Sequence, residues 1–188
     1  ADGSVLRRTR QIIHRKRRNL REHPLRGWSR RLPHAVLMCG LPLGQDKVAV
    51  GSVDDLENFF RAFAGASDEK TRSQPVGKAI PAHTVSHLRA HGGRFEAKEM
   101  VRLCFRGLSM GDHHAPDLAQ EAHAGVLRTA DCLRPEETME YRKPLPLAPE
   151  GFYEGVMIDD RVGVQLLPRE RWRSAVVQET GRDTEAFE

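Results

Sequence analysis

Two apolar runs, residues 152–158 and 162–167, flank the tripeptide Asp159-Asp160-Arg161. That pattern reads as a β-hairpin carrying two adjacent carboxylates at its tip. It commits this end of the chain to an antiparallel sheet. Adjacent like charges repel, and neighbouring strands this apolar solvate them poorly. A hard divalent cation removes the difficulty, because Mg²⁺ takes one or two carboxylates together with substrate phosphates. The bland alternative is an ordinary polar turn, since Asp is common in hairpin loops.

A second carboxylate element bears on the choice. Residues 48–53 form a short β-rich run ending on Asp54-Asp55, followed by Phe59, Phe60 and Phe63 at helical spacing. Side chains alternate along a strand, so Asp54 and Asp55 face opposite ways and only one meets the hairpin. A strand-end Asp55 beside Asp159 and Asp160 gives the carboxylate cluster of a two-metal phosphoryl-transfer site.

Between these elements, residues 65–79 are polar and Gly/Ser-rich and read as a loop. Residues 81–90 and 94–103 read as helices broken at Gly92-Gly93. A further helix starts at Ala115-Pro116, with Pro in the first turn, and Leu118, Ala122 and Val126 recur every four residues to give it an apolar face. Mixed elements in this order imply an α+β fold, an antiparallel sheet covered by helices.

Charge is uneven. Residues 7–31 hold ten arginines and one lysine against Glu22, a balance of +10 in a chain whose net charge is +4. Such a segment attracts a polyanion, nucleic acid above all, although a solvated tail or an Arg-rich organelle leader has the same composition. Apolar Ile12, Ile13, Leu20 and Leu25 interleave with the charges and favour a folded basic surface. No run has the roughly 18 apolar residues of a membrane span. Cys39, Cys104 and Cys132 are odd in number and far apart, which fits a reducing intracellular compartment, nuclear, cytoplasmic or organellar. His83, His87 and His91 share one face if their segment is helical, but nothing nearby supplies a clear fourth zinc ligand. His113-His114 read as polar residues with a possible part in proton transfer.

Four segments together resemble reverse transcriptases. Residues 53–63, VDDLENFFRAF, resemble the first palm motif, an Asp followed five residues later by an aromatic. Residues 108–120, LSMGDHHAPDLAQ, resemble the second, and residues 155–160, GVMIDD, the third. Residues 10–19, RQIIHRKRRN, resemble the fingers segment. The Met-Gly-Asp form of the second motif is similar to a divergent retroelement type of single-celled algae. The resemblance implies a palm-like antiparallel sheet packed on helices, with partial fingers over residues 1–47, a palm over 48–168, a tail over 169–188, and no thumb. It makes Asp55, Asp159 and Asp160 catalytic residues and ligands of Mg²⁺ or Mn²⁺. Phe60 lies under the incoming sugar and excludes a 2′-hydroxyl; Met110 and Gly111 form the nucleotide floor; Arg10 reaches the phosphates; Lys16 and Asn19 brace the fingers.

The chain departs from the family pattern at Met157, where an aromatic is usual, at His14, where the fingers carry Asp, and at Ser109, where Pro is typical. Only 28 residues follow Asp160, so the expectation is either one piece of a longer polyprotein or a repurposed remnant. The implied function is templated DNA synthesis from deoxynucleotides on an RNA or DNA template-primer, with a thumb supplied by a partner. The alternative is a non-catalytic, retroelement-derived scaffold subunit of a larger assembly.

Overall fold

The computed structural model describes residues 13–63, 68–89 and 91–172. In chain order the elements are α1 (Lys16–Asn19), β1 (Lys47–Asp55), α2 (Phe59–Ala62), α3 (Asp68–Arg72) and β2 (Pro75–Pro81). They continue with β3 (Met100–Cys104), α4 (Ala115–Thr129), β4 (Phe152–Met157) and β5 (Asp160–Pro168), with 3-10 turns at Trp28–Arg31, Ala35–Gly40 and Ala82–Val85. The fold is α+β with antiparallel sheets. The described residues fall into two units, each discontinuous in sequence. A first unit draws on Ala1–His23 and Phe60–Ala115, and a second on Pro24–Phe59 and Pro116–Glu188.

The second unit is built on a three-stranded sheet in the order β1-β5-β4. The expected hairpin is present: Met157 pairs with Asp160, leaving Ile158 and Asp159 as the two-residue turn. β1 pairs antiparallel with β5 along its whole length, from Lys47 opposite Pro168 to Asp55 opposite Asp160. Cross-strand partners share a face of the sheet, so the alternation sorts the side chains into two sets. On one face Tyr153, Val164 and Leu166 pack with Met139, flanked by Leu37, Met38, Leu41 and Leu145. On the other, Val156 packs against Ala124 and Leu127 of α4, with Cys132 and Leu133. Full burial of side chains such as Leu127, Phe152 and Tyr153 contributes about 1.5–3 kcal/mol each. Glu154 and Arg161 are buried on the α4 face as an ion pair, with Arg161 Nη2 and Nε 2.7 and 3.1 Å from Glu154 Oε2. The other carboxylate oxygen accepts the Leu133 N–H.

α4 begins where Ala115-Pro116 predicts, but its buried face differs from the expected one. Leu118 and Val126 are exposed, while Ala119, Gln120, His123, Ala124 and Leu127 are buried. The small alanines let the helix approach the sheet, and two polar side chains on that face have partners to reach. Aromatic spacing after Asp55 yields only the four-residue α2, because Asn58 at φ +57° interrupts the backbone ahead of it.

The first unit corrects the middle of the chain. The segment expected as a loop holds α3 and the start of β2, and the two expected helices are replaced by the end of β2, a 3-10 turn and β3. β2 and β3 pair antiparallel, Val76 opposite Leu103 and Ile80 opposite Val101, with a register shift between Val76 and Ile80. Gly77, at φ +70°, lies in that irregularity and disrupts the apolar alternation that marks a strand. His83, His87 and His91 therefore share no helix. His83 Nδ1 pairs with the Ala97 carbonyl, and His91 Nδ1 accepts the Gly93 N–H.

Candidate active site

Register decides which of the tandem aspartates meets the hairpin. Asp55 is the direct partner of Asp160, whereas Asp54 is the partner of Arg161. Asp55 and Asp160 thus share one face, and Asp54 lies on the α4 face with its Oδ2 3.9 Å from Arg161 Nη1. Beyond the end of β1, the Leu56 N–H donates to the Asp159 carbonyl at 3.0 Å and ties the turn to the strand end. Along β1 the residues on Asp55's face, Ala49, Gly51 and Val53, are exposed, and those on Asp54's face are half-buried. The carboxylates therefore stand at the tip of the sheet, on the face whose far end packs against Met139, with Asp55 exposed on the edge strand and Asp159 and Asp160 half-buried.

The turn itself is held in an unusual conformation. Ile158 takes φ +66°, a left-handed geometry that a β-branched residue adopts only under constraint, at about 1–3 kcal/mol. α4 supplies the constraint. Gln120 accepts the Ile158 N–H at 2.6 Å and donates to the Val156 carbonyl at 2.8 Å, and the His123 Nδ1–H donates to the Ile158 carbonyl at 2.9 Å. Burial holds the His123 pKa below its usual value, with the Arg161 charge acting the same way, so the ring is neutral at pH 7. Phe59 packs on the same ring, centroids 5.4 Å apart. Backbone strain fixed from both sides by buried side chains sets the direction of Asp159 and Asp160. Sequence reasoning missed Gln120 and His123; the available signal was two polar residues three apart on the helix preceding the hairpin.

Burial pushes the Asp160 carboxyl above its ordinary pKa of 3.8, and the negative charges of Asp159 and Asp55 push it further. The folded state therefore binds protons more tightly than the unfolded chain, and stability falls as pH rises through the folded value. Asp160→Asn should remove this component, so that thermal melts from about pH 4 to pH 7 decline less steeply than those of the wild type. Parallel pH profiles for the two proteins would mean that neither burial nor the neighbouring charges of Asp159 and Asp55 act on Asp160. Carboxylates close enough for the charges of Asp159 and Asp55 to act on Asp160 form a donor set suited to Mg²⁺ or Mn²⁺, which prefer oxygen ligands. The trio does not bring its carboxylate oxygens all within 4.8 Å of one another, a compactness that only Glu22, His113 and His114 reach among the described residues.

The other expected site residues belong to the first unit, except Arg10, which lies outside the described residues. Lys16 is exposed on α1, and Asn19 Nδ2 donates to the Gly111 carbonyl at 2.8 Å. A side chain at Gly111 would overlap the Ile13 carbonyl, so only glycine fits there. Ser109, where Pro was expected, closes a tight turn: its Oγ accepts the Gly111 N–H and its carbonyl accepts the Asp112 N–H. Met110 is exposed beside it and Phe60 is half-buried. Lys16, Asn19, Gly111 and His113 line one open concavity of ≈ 490 Å³. Fingers-like and second-motif segments thus meet, joined by an ion network absent from the sequence reading. Asp112 Oδ2 pairs with Arg15 Nη1 and lies 2.5 Å from Lys70 Nζ, and Arg15 Nη2 lies 2.9 Å from Glu22. Burial alone would raise the Asp112 pKa, but Lys70, the His114 N–H and Arg15 together hold it below the ordinary value.

Comparison with protein-family models, with curated proteins and with solved structures returns no match. Among the described residues no helix is long and apolar enough to cross a membrane, and all three cysteines are free.

Proposed function

We propose that the chain carries the palm of a nucleic-acid-templated DNA polymerase of reverse-transcriptase type. The observation that supports this reading most is Asp55 directly opposite Asp160, beside a strained Ile158-Asp159 turn that α4 holds by three hydrogen bonds. An ordinary polar turn needs no such clamp. Asp55 and Asp159, supported by Asp160, would hold the Mg²⁺ or Mn²⁺ ions. Bound there, such ions lower the pKa of an attacking hydroxyl and neutralise the leaving pyrophosphate. The residues themselves orient: Gln120 and His123 keep the turn rigid, and the exposed β1 face beside Asp55 offers a surface for a primer end. In the first unit, the Lys16–Gly111 concavity would receive the triphosphate, with Met110 and Gly111 as its floor and Phe60 against the sugar. Exposed Arg17 and Arg18 would draw the template.

The test is extension of a primed RNA or DNA template by the full chain, with deoxynucleotides and Mg²⁺ or Mn²⁺, alone and with candidate thumb-bearing partners. Metal-dependent incorporation is expected, with Phe60→Ala admitting ribonucleotides. Template binding without incorporation under every condition would replace this reading with the retroelement-derived scaffold.

A further inference from the structure

Glu22, His113 and His114 lie within the first unit, and each offers a ligand atom within 4.8 Å of the other two. We infer that they form a transition-metal site, of Zn²⁺ type, fastening residues 13–23 to the loop ahead of α4. The site is independent of the Asp55, Asp159 and Asp160 cluster and stands whether or not the chain polymerises.

Three observations carry it. His114 Nε2 pairs with the His23 carbonyl at 2.7 Å, which makes Nε2–H the donor and leaves Nδ1 with a free lone pair. A metal-binding imidazole is commonly oriented by just such a bond from its second nitrogen to a carbonyl. That Nδ1 stands 3.8 Å from Glu22 Oε2, where two ligands of one tetrahedral zinc are about 3.4 Å apart. Finally, Glu22 Oε2 and His113 Nε2 are both buried with no hydrogen-bond partner, a costly condition that a shared cation relieves.

The surrounding charges are compatible with a dication. Arg15 at 2.9 Å and Arg18 at 3.5 Å both engage Glu22 through Oε1 and so leave Oε2 available. Lys70 is committed to Asp112 at 2.5 Å and stays 3.7 Å from Oε2, beyond hydrogen-bonding range. Two imidazoles and one carboxylate select a borderline metal over Mg²⁺ and leave a fourth position for water.

The full chain, stripped with chelator, should bind one Zn²⁺ at this site, and Co²⁺ there should show the intense visible absorption of a tetrahedral centre, bleached by added Zn²⁺. His113→Ala and Glu22→Gln should each weaken Zn²⁺ affinity by more than the roughly 10- to 100-fold seen when only an outer partner is lost. His83→Ala and Asp159→Asn should leave it unchanged. Glu22→His, which exchanges one ligand for another, should retain binding and separates ligand loss from misfolding. Wild-type affinity in both His113→Ala and Glu22→Gln, loss in Asp159→Asn, or failure of Glu22→His to bind would each overturn the site.

Discussion

Asp55→Asn should abolish primer extension, while Asp54→Asn, one residue away, should leave it largely intact. The strand alternation dictates the contrast: Asp55 shares a face with Asp160, and Asp54 shares the opposite one with Arg161. Losing a ligand of a catalytic cation forfeits several kcal/mol of transition-state stabilisation. At 1.36 kcal/mol per factor of ten, that is about a thousandfold in rate. Single-turnover extension measured for both variants beside the wild type checks it. Equal losses would show that overall charge at the strand end matters and that its direction does not.

The second large effect concerns stability. Arg161→Met should cost about 3–5 kcal/mol, because it leaves the fully buried Glu154 carboxylate with only the Leu133 N–H of its present side-chain partners. The double variant Glu154→Met with Arg161→Met should recover most of the loss, since apolar groups of similar volume replace a buried pair at little cost. Denaturant unfolding of both proteins measures the difference. A double variant as unstable as the single one would mean that shape, and not charge, makes this pair matter. Since Arg161 follows Asp160 directly, the pair also fixes β5 at the base of the carboxylate tip.

The hairpin and its partner strand were legible in the sequence for a simple reason. Residues 152–158 and 162–167 are apolar runs around Asp159-Asp160-Arg161, with the turn itself falling one residue earlier on Ile158 and Asp159, and β-strand alternation alone separates Asp54 from Asp55. What the sequence hid was polar. Gln120 and His123 are buried because the Ile158 backbone needs partners, and no hydrophobic pattern announces a helix face chosen for hydrogen bonding. The Leu118, Ala122 and Val126 stripe was more apolar and proved the outer one. β2 was concealed by Gly77, whose positive φ lies at the register shift and scrambles a two-residue period. Arg15 and Asp112 lie in two separate segments of the sequence, and their pairing depends on tertiary structure. Glu22, His113 and His114 escaped for the same reason.

The central claim is that Asp55, Asp159 and Asp160 together hold a hard divalent cation. Mn²⁺ is paramagnetic and broadens nearby amide resonances, so an NMR titration of the isotope-labelled full chain reports where it sits. Broadening should centre on Asp55, Leu56 and residues 158–160, spare Lys47 and Leu167 at the far end of the same strands, and vanish in Asp55→Asn. Broadening absent from this tip, or unchanged in that variant, would contradict the account.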